Sequence, residues 1–222
     1  MKKRTALIIA IFLPFVAIVH GQNTFQKELS IGGSFGMGTS WVSFVPKIQT
    51  NSLTGTNIGL TGRWITENHL GIMFEVNYSQ QGWDEKFADK SIRYTRRLNF
   101  IDIPFLTHVY FGGKRVRFFV NLGPKIGFLL GESTTKENLD MLPAATDERP
   151  GRLREQSVQK NFAWGICGGP GLEIRTGIGS FLLEGRYYYA LGDLFNNRKG
   201  DDFPQSSSQA ILGKLTYLIP LR

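Results

Sequence analysis

The chain holds one cysteine, Cys167, among 222 residues, which excludes an internal disulfide framework and a cysteine-based zinc site. Histidine is nearly as scarce, with only His20, His69 and His108. No apolar run reaches the roughly 20 residues that a membrane-spanning helix needs, so a helical membrane bundle is excluded. Charged residues make up 20% of the chain and aromatic residues 13%, too little of the first and too much of the second for a disordered polymer. What is plentiful is glycine, at 26 residues, beside 17 Phe, 7 Tyr and 4 Trp. Aromatic residues favour strands, and glycine within strands marks close approach of backbones, so the composition reads as mostly β.

The N-terminus reads as an address. Met1-Lys2-Lys3-Arg4 is basic, Ala6 to Val19 is apolar apart from Pro14, and Val19 and Gly21 suit the −3 and −1 positions of a cleavage site. Residues 1–21 are therefore predicted to be a secretory signal, and 22–222 the mature domain. Removing Lys2, Lys3 and Arg4 lowers Lys+Arg from 26 to 23, which against 18 acidic residues turns a formal +8 into +5. The remaining basic residues are scattered rather than striped, so no nucleic-acid partner is expected.

Beyond Gln22, alternation replaces helical periodicity. Leu70, Ile72, Phe74, Val76 and Tyr78 share one face, and Gly71, Met73, Glu75, Asn77 and Ser79 the other. The same holds from Val116, with Phe118, Val120, Ile126 and Phe128 opposite Arg117, Asn121, Lys125 and Gly127, and again from Ser180. Eight strands are predicted: 28–44, 56–65, 70–83, 93–111, 116–131, 161–175, 180–193 and 209–221. Short turns at 66–69, 112–115 and 176–179 alternate with long polar stretches at 45–55, 84–92, 132–160 and 194–208. An even-stranded meander of that order gathers short turns at one end and long loops at the other, the layout of an outer-membrane barrel. The 132–160 stretch, with 11 charged residues among its 29, reads as a solvated loop.

Alternation alone fits both a soluble barrel, apolar inside, and a membrane barrel, apolar outside. Size and chemistry favour the second. The apolar face is bulky, while the other mixes glycine with Glu75, Asp102, Arg117, Lys125, Glu173, Arg175, Glu184, Arg186 and Lys214. Eight strands enclose an interior that side chains alone can fill, and glycine beside long charged chains suits such a lumen. Trp64, Phe111, Phe118, Phe181 and Tyr217 fall near the turn ends, and Tyr78, Phe162, Trp164, Tyr187 and Tyr189 near the loop ends, as two interfacial girdles. Pro104, Pro124, Pro170 and Pro220 sit inside proposed strands of a closed ring, where β-bulges are expected to accommodate them.

Asn99-Phe100-Ile101-Asp102-Ile103-Pro104-Phe105-Leu106 resembles the acidic-Ile-Pro strand of the PorT-like outer-membrane β-barrel family of Gram-negative bacteria. Similar stretches are Tyr78-Ser79-Gln80-Gln81-Gly82, Gly123-Pro124 through Gly131, and Tyr187-Tyr188-Tyr189-Ala190-Leu191-Gly192. The resemblance spans residues 28–221 and implies an eight-stranded barrel in the outer membrane. The named member of that family is linked to export of secreted proteins.

Catalytic chemistry finds little support. His20 leaves with the signal, His69 lies in a turn, and His108 stands six residues from Asp102 on the same face, about 20 Å away at ~3.3 Å per residue. Cys167 reads as a small packed thiol. No metal spacing or phosphate-cradling loop occurs. The lumen charges Glu75, Asp102, Glu173 and Glu184, offset by Arg63, Arg117, Lys125, Arg175, Arg186 and Lys214, read as a structural ion-pair network that plugs the barrel. The expectation is a monomeric, non-enzymatic, cofactor-free, all-β barrel: eight antiparallel up-and-down transmembrane strands after a signal peptide. Its expected partners are outer-membrane lipid and a protein or glycan ligand at loops 132–160 and 194–208. The alternatives weighed are a narrow pore or secretion accessory, a soluble carrier, and a lipid-modifying barrel enzyme.

Overall fold

The computed structural model describes residues 26–89, 91–141, 149–198 and 201–221; the predicted signal peptide lies outside them. Alternating side chains make each strand two-faced, and the ring closes through all eight strands. The strands are β1 (Glu28–Val45), β2 (Thr50–Glu67), β3 (Leu70–Glu85), β4 (Arg93–Gly112), β5 (Val116–Glu137), β6 (Phe162–Arg175), β7 (Ser180–Asp193) and β8 (Gln205–Leu221). Each pairs antiparallel with the next, and β1 pairs with β8 from Leu29↔Leu221 to Val45↔Gln205. The all-β, eight-stranded antiparallel barrel read from the sequence is the fold observed.

The facing of the side chains also follows the sequence. Phe74 and Ile126 are 49% and 37% exposed on the outside, whereas Glu75 and Lys125 are 0% and 7% exposed in the lumen. Trp64, Phe111, Phe118 and Phe181 ring the turn end, and Tyr78, Phe162, Trp164, Tyr187 and Tyr189 the loop end, all exposed. Tyr217 is half-buried against Phe181, their ring centroids 4.8 Å apart, and its hydroxyl donates to the Ile178 carbonyl at 2.7 Å.

Three expectations need correction. The strands run further toward the loop end than the alternation indicates. β2 begins at Thr50 rather than 56, β5 continues to Glu137 and β8 begins at Gln205, so the first loop shrinks to 46–49. Above the bilayer the ladder continues through pairs such as Arg93↔Glu137 and Thr95↔Thr135, where water replaces lipid outside and the apolar pattern lapses although backbone pairing does not. The 132–160 stretch is also more structured than a solvated loop: it contains the end of β5, a 3₁₀ turn at Leu139–Met141 and a short helix α1 (Arg149–Glu155).

The prolines need no bulges. Pro104, Pro124 and Pro170 each coincide with a gap of two pairs in one flanking ladder, and the register on either side of the gap is unchanged. The bulges lie elsewhere, at Ser52/Asn57, Ile65/Glu67, Asn99/Phe100 and Tyr189/Asp193. Glycine does accompany Pro170: a Cβ on Gly169 would lie 1.8 Å from the Gly185 carbonyl oxygen, so the two backbones meet where no side chain fits. Gly169→Ala is expected to cost about 1–3 kcal/mol, measured as a lowered urea midpoint in detergent micelles. Gly177→Ala, whose Cβ meets nothing within 4 Å, is expected to leave that midpoint in place.

Candidate functional site: the filled lumen and its outer stopper

The inward residues of β3 serve as a ruler along the barrel axis: Met73, Glu75, Asn77, Ser79, Gln81 and Trp83 rise from the turn end to the loop end, all buried. At the level of Met73, whose partner across the ladder is Arg63, lies the first charged tier. Arg63 donates to Glu173 at 2.8 Å and to Glu28 at 3.1 Å, and Arg175 closes on Glu28 from the other side. Arg117 stacks its guanidinium 4.4 Å over the Tyr110 ring and approaches Glu173 only to 3.9 Å.

The second tier is centred on Glu75. Its carboxylate accepts two hydrogen bonds from Arg186, at 2.7 and 3.0 Å, one from Lys214 at 2.5 Å and one from Asn77 at 2.9 Å. Arg186 also donates to both oxygens of Glu184 at 2.8 Å. From Glu184 the chain of bonds continues through the Asn121 amide, at 2.9 Å, to the His108 Nδ1 at 2.8 Å from the Asn121 oxygen. His108 is fully buried, its ring lying between those of Tyr110 and Phe119.

The third tier joins Asp102 and Lys125 at 2.9 Å, with Ser79 and Gln81 donating to the same carboxylate oxygen at 2.5 and 3.1 Å. The Lys125 ammonium sits 3.3 Å from the centroid of the Tyr188 ring. Each of these residues belongs to one of the four stretches that carry the family resemblance, so segments distant in sequence meet at a single level of the lumen. Asn57, Asn77, Asp102 and Tyr188 line a cavity of about 40 Å³ here.

Above the third tier the lumen changes character. Val42, Phe44, Trp83, Leu98, Phe100, Leu194, Phe195 and Phe203 form an apolar stopper, joined by Leu153 of α1 and by Val158. Phe44 packs edge-on to Trp83 at 5.5 Å and against Phe203 at 5.4 Å. The helix is held by its C-terminal carbonyls. Arg96, 2% exposed, donates to the carbonyls of Gln156 and Leu153 at 2.7 and 3.0 Å, placing a cation where the helix dipole is negative. Arg154 clamps Glu85 through two bonds of 2.6 and 2.9 Å.

All ten network residues read from the sequence therefore face the lumen, but as three tiers rather than one network. Arg63, Glu75, Asp102, Lys125, Glu173, Glu184, Arg186 and Lys214 are buried; Arg117 and Arg175 sit at the turn-end mouth with part of each side chain in solvent. Asp102 and Glu184 occupy different tiers, and each has its own cation. Sequence reasoning missed Glu28, Asn121 and the stopper. Alternation extends to Glu28, and Leu194, Phe195 and Phe203 are apolar residues in an otherwise polar loop, so both left a trace; the role of Asn121 as a bridge left none. Among the described residues no group of three or more potential metal ligands occurs.

A closed ring of eight strands, apolar and twice girdled outside, charged and filled inside, defines a small transmembrane β-barrel. The chain belongs to the family described as Outer membrane protein beta-barrel domain, whose pattern matches residues 21–196, and its place is the outer membrane of a Gram-negative bacterium, in contact with lipid. Solved structures similar to it include Ail, the attachment invasion locus protein of Yersinia pestis, in complex with the heparin analogue sucrose octasulfate (12% identity, 86% of this chain and 99% of that one, TM-score 0.42). Others are Neisserial surface protein A (10%, 87% and 99%, TM-score 0.44) and the outer membrane enzyme PagL (12%, 82% and 97%, TM-score 0.47). A comparison with curated proteins gives no match.

The tiers make a ranking testable. Glu75→Gln leaves Lys214 and one side of Arg186 buried without a carboxylate, and is expected to cost about 3–5 kcal/mol in urea unfolding. Arg175→Gln, at the part-exposed mouth, is expected to cost about 0–1 kcal/mol. Equal losses would contradict the tier description.

Proposed function

We propose that this protein is a sealed, non-catalytic, monomeric barrel whose function lies in its outward surface rather than in passage through its axis. The observation that carries this reading is the filling of the lumen: three charged tiers at bilayer level, with a cavity of about 40 Å³ at the third, and an apolar stopper over them. An ion entering from outside meets Phe, Trp and Leu side chains, where its hydration shell finds no replacement, and beyond them charges already paired. The burial of His108, its Nδ1 engaged with Asn121, supports the non-catalytic half of the reading, since no substrate reaches that ring from the outside surface. Within the family we place the chain beside the PorT-like members, on the convergence of the four resembling stretches around Asp102 and Lys125. Protein or glycan partners then belong to the polar outer faces of loops 132–160 and 194–208, whose Leu153, Val158, Leu194, Phe195 and Phe203 turn inward to the stopper. Loops on a rigid scaffold are free to vary in this way.

Planar-bilayer recording tests the seal. Wild-type protein is expected to give no steady conductance, and truncating the stopper alone, as Leu153→Ala/Phe203→Ala, is expected to stay silent. Glu75→Ser/Lys214→Ser, which removes one charge of each sign and leaves Arg186 paired with Glu184, combined with the stopper truncation, is expected to conduct. Large, steady wild-type currents would make the protein a pore.

A further inference from the structure

In a closed ring every strand edge has a neighbour, yet β1 and β2 separate before they end. Their ladder stops at Ser40↔Leu53. Beyond it Trp41–Val45 stay paired with β8, and Thr50–Ser52 stay paired with β3. Each strand follows its outer neighbour, and a cleft of about 600 Å³ opens between them, crossed by the Thr50 hydroxyl donating to the Val42 carbonyl at 3.2 Å.

The lining of the cleft has one sign of charge. Lys47 and Lys86 are exposed, no acidic residue lines the cleft, and among the described residues neither ammonium has a carboxylate within 4 Å. Around them stand Gln49 and Asn51, which offer amides, and Trp41, which offers a half-buried indole. The flanking strand edges have no strand partner on the cleft side. An acyl chain is a poor occupant, because it would leave those backbone N–H and C=O groups unsatisfied. A sugar supplies hydroxyls for them and for the amides, a C–H face for the indole, and, when phosphorylated, anions for the lysines.

The height of the cleft narrows the source. On the barrel exterior the Tyr187 hydroxyl donates to the Gln209 amide oxygen at 2.7 Å, and the Gln209 amide nitrogen donates to the Ser43 hydroxyl at 3.0 Å. Tyr187 belongs to the outer aromatic girdle, so Ser43 and Trp41, at the foot of the cleft, lie level with lipid headgroups, and the lysines lie just above. We infer that the cleft between β1 and β2 binds the phosphorylated sugar headgroup of an outer-leaflet glycolipid. This inference is independent of the sealed lumen: a conducting barrel would leave it standing.

Delipidated full-length protein in detergent, titrated with a diphosphorylated glucosamine-disaccharide glycolipid and followed by native mass spectrometry, tests it. The wild type and the turn-end control Lys114→Gln/Arg115→Gln are expected to bind alike. Lys47→Gln/Lys86→Gln, and the wild type given dephosphorylated glycolipid, are expected to bind about tenfold more weakly or worse. Trp41→Phe, which keeps a ring, is expected to stay close to wild type. Heat-modifiable gel migration confirms that each variant is folded. Equal binding by the two double variants overturns the site, and full competition by soluble glucosamine 1-phosphate overturns its assignment to lipid.

Discussion

The lumen of an eight-stranded barrel is too narrow for a column of water and too polar here for a dry core, so every inward charge must find its opposite within a few ångströms. That constraint orders the rest of the molecule. Glu75 can be buried completely only because Arg186 and Lys214 both reach it, and Arg186 can do so only because Glu184 holds its other side. The strands that carry these residues must then hold their register against one another around the whole ring. A slip of one residue in β3 would turn Glu75 toward lipid and Phe74 into the tier. Pairing in the lumen and register in the wall are thus one requirement seen from two sides.

Long charged side chains need room, and β1 supplies it. Its inward positions through the bilayer are Ser30, Gly32, Ser34, Gly36, Gly38 and Ser40, none larger than serine. Arginine, lysine and glutamate reach inward from β2, β3, β6, β7 and β8 toward this low wall, so the lumen is filled asymmetrically. At the outer end the same strand turns Val42 and Phe44 inward and joins the stopper. The change from serine and glycine to valine and phenylalanine along one face marks the level at which the interior stops being ionic.

That change explains which parts of the architecture were legible in the sequence. At bilayer level, outside apolar and inside polar, strict alternation reports both the strand and its facing, and Phe74, Glu75, Lys125 and Ile126 were read correctly from it. Above the bilayer the barrel resembles a soluble protein, apolar within and wet without. The sense of the pattern inverts, the outward side becomes polar, and the extensions of β2, β5 and β8 were read as loop. Leu153 and Val158 were hidden for the same reason: isolated apolar residues in a charged stretch carry no period, and only their docking in the stopper gives them a role. Pairing across the ring was illegible in principle. Alternation shows that Glu75 and Arg186 face inward, but not that they meet, because that depends on the stagger of strands 111 residues apart.

The parting of β1 and β2 follows from this two-part construction. Within the membrane an unpaired strand edge facing hydrocarbon is prohibitively costly, and there every strand stays paired with both neighbours, apart from the two-pair gaps at Pro104, Pro124 and Pro170. Once the strands emerge among headgroups, the edges can be satisfied by other polar groups, and closure is no longer enforced. The bulge between Ser52 and Asn57 lies just where β2 leaves β1, so an extra residue in the β2–β3 ladder accompanies the swing of β2 toward β3. The surface opened in this way is basic, amide-rich and aromatic, while the axis beneath it is filled. On the reading proposed above, the face of this barrel that meets a partner is its rim, at the level where polar lipid begins, and the interior holds the rim in place.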